Sequence, residues 1–246
     1  MSKHQLKSYR HLSWDSEFFG FPIGMLEISD KKDFQNALAI ARSDGIRLLY
    51  WKIPQTSCMA SWAKDNVSGF VGDQITFQKP ISAAQVPTMP QTYRYQLFEK
   101  QTPECEMYEL SCQAGEFSRY KIDPRFSDSE FHRLYEAWIN NSCSKSIADA
   151  VLLIRNSEND LAGLLTVATK DHRADIGLLS VSPAFRRQGI GSTLIGMAES
   201  FASENQCTLL QVVTQVANVG AVQLYGRAGF IVANTHSLFH LWLDAE

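Results

Sequence analysis

A run of basic and glycine residues, Arg186-Arg187-Gln188-Gly189-Ile190-Gly191, has the composition of a binding site for anionic oxygens. It follows a predicted strand directly and precedes a predicted amphipathic helix at Ser192–Glu204. Glycines let a backbone approach a phosphate closely, and the free N–H groups and dipole at a helix start attract negative charge. The run therefore predicts a pyrophosphate-binding turn, although a plain strand-to-helix connection would fit the same residues.

The same run excludes two familiar nucleotide-binding motifs. No Gly-Lys-Ser/Thr follows the glycines, so the run is not a Walker loop. Gly189 and Gly191 give G-x-G alone and not G-x-G-x-x-G, and no β-α-β unit begins there, so a dinucleotide fingerprint is excluded as well.

A second pair of residues with chemical potential is Asn218 and Tyr225. They are seven residues apart, which is two helical turns, so both side chains lie on one face of a predicted helix. Two interpretations are open. Asn218 is a helix N-cap and Tyr225 a packed aromatic, or the two side chains serve a ligand.

The middle of the chain is polar for a segment that leads into a sheet. Arg119 and Lys121 are candidates to bind a phosphate of the substrate, and Asp149 is a candidate to orient an amine or accept its proton through water. The alternative interpretation is a solvated loop whose polar side chains cap backbone groups.

Composition narrows the class of protein. The chain has 246 residues, of which 45% are hydrophobic, and 23 basic against 26 acidic residues give a net charge of −3. No apolar run is long enough to cross a bilayer, and no basic surface for nucleic acid is indicated. The five cysteines and six histidines show no disulfide framework or metal-ligand spacing, so no metal is expected. We expect a cytoplasmic protein that acts on a small molecule.

Hydrophobic periodicity predicts alternating strands and helices in the C-terminal part of the chain. The predicted elements are strands at Val151–Arg155, Leu161–Thr169 and Arg173–Val181, the helix at Ser192–Glu204, a strand at Cys207–Val216, a helix from Asn218 to Arg227, and a strand at His236–Leu243.

The first third of the chain repeats this plan in a weaker form. A helix at Phe34–Ser43, a strand at Ile46–Ile53 and a helix at Cys58–Asn66 precede Gly69-Phe70, as the later elements precede Gly229-Phe230. We therefore predict two related halves, residues 1–101 and 102–246, with a linker at 82–91. The turn at 27–33 has no glycine and contains aspartates, so only the second half is expected to bind a phosphate-bearing ligand.

The glycine run resembles motif A of the GNAT acetyltransferases through Gln188, Gly189 and Gly191. The sequence Asn218 to Phe230 resembles the family's second hallmark, an Asn-led helix that ends in Gly-Phe. The resemblance implies an α/β (α+β) GNAT fold, with a central mixed, mostly antiparallel sheet flanked by helices and a degenerate N-terminal GNAT-like half. It also implies that acetyl-CoA is the co-substrate and that Tyr225 protonates the leaving thiolate.

By the same resemblance, the strand 176–181 splays from 209–214 and holds the pantetheine arm, and a backbone N–H near its end stabilises the oxyanion. Cys207 opens a strand away from the predicted thioester and is not expected to act as a nucleophile. The residues that this places at the co-substrate are Leu179, Val181, Arg186, Arg187, Gln188, Gly189, Ile190, Gly191, Ser192 and Asn218.

A narrower resemblance comes from Leu12-x-Trp14-Asp15-x-x-Phe18-Phe19-Gly20 together with the C-terminal part. These residues are similar to the GNAT enzymes that acetylate the 4-amine of a dTDP-linked amino-deoxy sugar. This implies a small-molecule amine as acceptor, with a homodimer as an open possibility. Two alternatives stay open, namely a protein or peptide N-terminal acetyltransferase and a module that binds acetyl-CoA without turnover.

Overall fold

A computed structural model describes residues 8–28, 30–81 and 92–243, so the predicted linker at 82–91 lies outside the described residues. The chain divides into two compact units. The first contains the described residues up to Gln74 together with those from Thr235 onward, and the second spans Ile75–Asn234. No helix among the described residues is long and apolar enough to cross a membrane.

The first unit is a small sheet in which β1, β2, β3 and β10 are neighbours in that order. The β2 and β3 strands are parallel, while β1 and β10 pair antiparallel with their neighbours. Buried aromatic residues, including Phe34, Trp51 and Phe239, form its core. Its elements are β1 Tyr9–His11, α1 Ser13–Phe19, β2 Ile23–Leu26, α2 Phe34–Ser43, β3 Leu48–Pro54, α3 Cys58–Asn66, the start of β4 Phe70–Pro80, and most of β10 Ile231–Trp242.

The second unit contains a sheet in the order β9-β8-β7-β6-β5. The pairs from β5 to β8 are antiparallel, and β8 with β9 is parallel, which confirms the predicted mixed, mostly antiparallel sheet. Its elements are β5 Tyr93–Leu97, α4 Cys105–Ala114, α5 Arg119–Ile122, α6 Asp128–Cys143, β6 Ala150–Asn156, β7 Leu161–Lys170, β8 Arg173–Val181, α7 Ile190–Glu204, β9 Leu209–Gln215 and α8 Val219–Arg227.

Helices cover both faces of this sheet. Ile190, Leu194 and Ala198 recur at the spacing of one helical face and bury α7 against strand residues that include Leu165 and Val167. Thr166 lies between Leu165 and Val167 on β7. Because side chains alternate along a strand, Thr166 faces the opposite side of the sheet, where α6 lies.

The units divide the chain at other positions than the predicted halves. Strand β10 pairs with β3 from His236 to Trp242, so the end of the chain completes the first unit. This pairing joins residues almost two hundred positions apart, and no local pattern encodes it. That the two halves are related repeats stays a prediction.

The middle segment is helical, which the sequence analysis missed. A capping box begins α6, because the Ser127 side chain accepts from the Glu130 N–H and the Glu130 side chain accepts from the Ser127 N–H. Phe131, Leu134 and Tyr135 then recur at helical spacing and are buried. This Ser-x-x-Glu pattern before an apolar period was the available indication of the helix.

Candidate active site

The β8 and β9 strands separate before they end. Their parallel ladder runs from Arg173 opposite Leu209 to Ile176 opposite Val212. Beyond it, β8 continues for residues 177–181 and β9 continues for 213–215 without further pairing between them. The predicted splay is therefore present, and it opens an edge of β8 in the middle of the sheet.

Backbone N–H groups of β8 point into this opening. The Ser182 N–H donates to the Ala162 carbonyl at 2.9 Å, so hydrogen-bonded pairs to β7 fall on every second residue before it. Leu179 and Val181 occupy the positions between, and they direct their N–H groups away from β7. The Val181 carbonyl points the same way and accepts from Gln113 Nε2 at 2.9 Å and Arg186 Nε at 3.3 Å.

The turn after β8 presents unpaired N–H groups. Arg187 and Gly189 have positive φ angles of 64° and 84°, and such left-handed residues in a turn make a concave anion site of successive N–H groups. Gly189 is the N-cap of α7 and provides no side-chain cap. The first helical hydrogen bond runs from the Thr193 N–H to the Gly189 carbonyl, which leaves the N–H groups of residues 190–192 available.

The side chains of this turn hold its shape and supply charge. Gln188 accepts from the Tyr93 hydroxyl at 2.6 Å and donates to the Ala184 carbonyl at 3.3 Å. Arg186, Arg187 and Ser192 are exposed, whereas Ile190 is buried in the core. The turn therefore provides positive charge and backbone donors, and the Gln188 side chain braces it. Helix α7 begins at Ile190, two residues before the predicted start.

Gly191 lies where three elements meet. A Cβ placed on it would lie 3.0 Å from Leu224 Cδ2 and 3.7 Å from Val181 Cγ2. The glycine therefore lets α8 approach both the start of α7 and the end of β8, which brings Tyr225, the next residue of α8, to this end of the sheet.

Tyr225 is 4% exposed and packs between Phe77 and Phe230, with ring centroids 5.8 and 5.5 Å away. Burial raises the pKa of its phenol well above the ordinary value, so the hydroxyl keeps its proton at neutral pH. The oxygen has no hydrogen-bond partner among the described residues. Asn218 caps α8, because its Oδ1 accepts from the Ala221 N–H at 3.1 Å.

The Asp149 carboxylate lies toward the start of β8, away from its open end. It accepts from the Thr169 N–H at 2.6 Å and from Thr169 Oγ1 at 2.8 Å, and Thr169 is opposite Ala174 near the start of β8. Five strand residues, about 15 Å, separate that position from Leu179. The predicted role of Asp149 at the acceptor amine does not fit this position, and its carboxylate instead ties β6 to β7.

Arg119 and Lys121 lie on the short helix α5. Arg119 donates to the Tyr120 hydroxyl at 2.7 Å, and Lys121 forms an ion pair with Asp128 at 2.7 Å. Both cations therefore have protein partners, and their predicted contact with a substrate phosphate stays a prediction. Gln113, which joins the C-terminal turn of α4 to the end of β8, was not predicted from the sequence.

The chain resembles known acetyltransferases over the part that carries this site. The model of the Acetyltransferase (GNAT) family matches residues 106–230, just over half of the chain. The spore coat polysaccharide biosynthesis protein SpsD of Bacillus subtilis (strain 168) is 23% identical over 222 residues, which cover 88% of this chain and 74% of that protein. N-alpha-acetyltransferase MAK3 of Arabidopsis thaliana is 35% identical over 86 residues, 33% of this chain and 44% of that protein.

Solved structures share the fold at low sequence identity. A GCN5-related N-acetyltransferase from Sphaerobacter thermophilus superposes with a TM-score of 0.63 and 15% identity, covering 91% of this chain and 73% of that one. A functionally unknown conserved protein from Staphylococcus epidermidis ATCC 12228 has a TM-score of 0.65 at 13% identity, over 98% and 93% of the two chains. A tandem GNAT protein from the clavulanic acid biosynthesis pathway has a TM-score of 0.62 at 13% identity, over 92% and 77%.

Proposed function

The chain belongs to the acetyltransferase (GNAT) family and is an acyl-CoA N-acyltransferase, and we propose that it acetylates the primary amine of a nucleotide-linked amino-deoxy sugar. The observation that carries the proposal is the end of the β8–β9 ladder at Ile176 and Val212, directly before the uncapped start of α7. These two features supply the backbone N–H donors that the thioester and the pyrophosphate of acetyl-CoA require.

Acetyl-CoA fits this arrangement from its pyrophosphate to its thioester. The pyrophosphate binds the N–H groups of residues 190–192, with Arg186 and Arg187 adding charge. The pantetheine arm follows the open edge of β8, where it replaces the missing strand partner. The thioester oxygen then reaches the N–H groups of Leu179 and Val181, which stabilise the charge that develops on it.

The reaction is a direct transfer in a ternary complex. The neutral amine attacks the thioester carbon, a C–N bond forms and the C–S bond breaks, and the amine loses a proton to water. Tyr225 donates its proton to the departing thiolate and recovers one from solvent.

The buried thiols are poor candidates for a covalent cysteine route. Burial raises the pKa of Cys143 to about 11 and raises the pKa of Cys207 as well. Both are therefore protonated at neutral pH, and a thiol is a far weaker nucleophile than a thiolate.

Support for a sugar acceptor comes from the extent of the similarity. SpsD, named for polysaccharide biosynthesis, aligns with 88% of this chain. The N-alpha-acetyltransferase aligns with 33% of it, which favours a shared co-substrate half and not a shared acceptor. A peptide amine is the second candidate acceptor.

We further propose that the two halves of the chain are related GNAT-like repeats and that only the second binds CoA. The tandem GNAT protein covers 92% of this chain, which supports the repeat. The turn before α2 supports the difference in binding, because Asp30 caps it and Asp33 is the N-cap of the helix. Carboxylates at these positions repel a pyrophosphate.

The experiment combines calorimetry with a thiol-release assay. Titration with CoA should give one site per chain, and acetyl-CoA should release free thiol most efficiently with dTDP-linked amino sugars, less efficiently with small amines, and not with N-terminal peptides. Turnover on peptides alone would replace the sugar acceptor with the second candidate. Binding of one CoA without thiol release for any amine would make the chain a non-catalytic module.

A further inference from the structure

Strand β8 has an exposed glycine at the point where it separates from β9. Gly177 is the first residue beyond the ladder, and it is exposed although β8 lies between two other strands. A Cβ placed on Gly177 would lie 2.8 Å from Thr166 Oγ1 and 3.4 Å from Trp138 Nε1. A methyl group there would be closer to the Thr166 hydroxyl than real contacts allow, so glycine keeps this part of the β8 backbone exposed. We call this exposed backbone on the α6 face, bordered by a hydroxyl and an indole N–H, the slot.

The packing behind Trp138 fixes its position. Tyr135 stacks on it with ring centroids 5.8 Å apart and an interplanar angle of 16°. Tyr135 is itself buried against Gly115, where any side chain would collide with the Tyr135 ring. Trp138 stays partly exposed, and its indole N–H has no hydrogen-bond partner within residues 8–28, 30–81 and 92–243. A rigid aromatic ring with an available donor is therefore presented at the slot.

Ser180 adds a hydroxyl farther along the same strand. It is 4% exposed, and its Oγ is buried without a hydrogen-bond partner among the residues that the structure describes. Because this oxygen has no exposed surface, it does not provide a ligand contact here.

We propose that the slot at Gly177 is the subsite for the sugar ring of the acceptor, with Trp138 donating its indole N–H to a ring or hydroxyl oxygen. An aromatic surface with neutral polar groups suits a hydroxylated ring. Two strand residues, about 7 Å, separate Gly177 from the Leu179 N–H, and one pyranose ring bridges that distance to bring its amine to the thioester. The inference rests on the proposed function and deepens it.

The test uses two amines of the same ring size, a methyl amino-deoxyglycoside and cyclohexylamine, which lacks the oxygens. Trp138→Phe keeps an aromatic ring and removes the N–H, while Gly177→Ala fills the slot. Trp14→Phe is the matched control, because Trp14 is 52% exposed and belongs to the first unit. Acceptor KM and acetyl-CoA Kd are measured for each variant, and glycoside binding in the presence of CoA is measured by calorimetry.

The wild-type protein should prefer the glycoside over cyclohexylamine. Trp138→Phe should raise the glycoside KM about three- to tenfold, the value of one neutral hydrogen bond, and leave the cyclohexylamine KM unchanged. Gly177→Ala should raise both KM values, and Trp138→Phe should not change the acetyl-CoA Kd. If Trp138→Phe leaves the glycoside KM unchanged, the subsite is wrong, whereas the CoA site stands. If no amine turns over, an unchanged glycoside Kd leads to the same conclusion. A protein that acetylates amines only on peptides, with no glycoside binding, would overturn the subsite together with the sugar acceptor.

Discussion

Two strand-helix-strand segments of the molecule, β2-α2-β3 in the first unit and β8-α7-β9 in the second, share one local plan. In each, a helix joins two parallel neighbouring strands. The β2–β3 ladder runs from Ile23 to Met25, and β2 ends one residue later. By contrast, β8 continues for five residues beyond its ladder with β9. The first segment is closed where the second is open.

The starts of the two helices, α2 and α7, also differ. Asp30 accepts from the Lys32 N–H at 2.9 Å, and Asp33 precedes the first residue of α2. Glycine stands at the corresponding position of α7, with arginines before it. The comparison teaches that the fold segment alone does not make a CoA site. An open strand edge and a helix start without competing carboxylates are the added features.

The largest expected effect concerns the residue that lies four positions before the Gly-Phe pair in each half of the chain. Tyr225 lies four residues before Gly229, whereas exposed Asp65 occupies that position before Gly69 in the first unit. Tyr225→Phe should lower kcat by about a hundredfold to ten-thousandfold, because general acid catalysis is worth that much. The acetyl-CoA Kd should stay unchanged, because the phenol acts only as sulfur leaves.

Single-turnover kinetics with the true acceptor measure this effect. Tyr9→Phe is the control, since it removes a buried tyrosine hydroxyl bonded to Asp44 at 2.6 Å in the first unit and should leave kcat unchanged. A Tyr225→Phe protein with wild-type turnover, when chemistry limits the rate, would reduce the tyrosine to a packed aromatic.

The next prediction gives the start of α7 the type of capping residue that is found before α2. Gly189→Asp places at α7 the residue type that caps α2, and Gly189→Asn is its uncharged match. Both tolerate the left-handed backbone of Gly189, whose Cβ direction is open. The aspartate should weaken CoA binding about tenfold more than the asparagine, because it adds charge repulsion near the pyrophosphate.

Calorimetry at low and high ionic strength measures this difference, which salt should reduce by screening. Equal CoA affinities of the two variants would show that the pyrophosphate does not bind at this turn.

The sequence predicted the parts of the site that local patterns encode. The glycine turn, the α7 and α8 helices and the β8 and β9 strands were placed within a few residues, because periodicity and turn residues report on local structure. On the acceptor side, the contact of Arg119 and Lys121 with a substrate phosphate stays a prediction. Asp149 was taken as a catalytic group from its polarity alone, and Trp138 and Gln113 gained meaning only when α6 and α4 were seen to pack beside β8. Contacts between elements distant in sequence set those positions.

The smallest expected effect concerns Gly191, which sequence alone assigned to the approach of the pyrophosphate. In the structure the added Cβ of Gly191→Ala meets the flexible end of Leu224, so the overpacking should lower the free energy of unfolding by about 1 kcal/mol. Leu224→Val should relieve part of that cost, and the double variant should be more stable than the sum of the single changes predicts.

Gly226→Ala on α8 is the matched control, because its Cβ would meet no atom within 4 Å. Alanine inside a helix is favoured over glycine, so this change should stabilise the protein by up to about 1 kcal/mol. Urea denaturation of the four variants gives the coupling energy, and CoA calorimetry on the same samples shows whether affinity follows it. Additive costs at Gly191 and Leu224, with a large loss of CoA affinity, would return Gly191 to the pyrophosphate site. Coupled costs with only a few-fold loss of CoA affinity would show that Gly191 serves the packing of α7 against α8. Of the two glycines, Gly189 would then be the one that distinguishes the anion site from the start of α2.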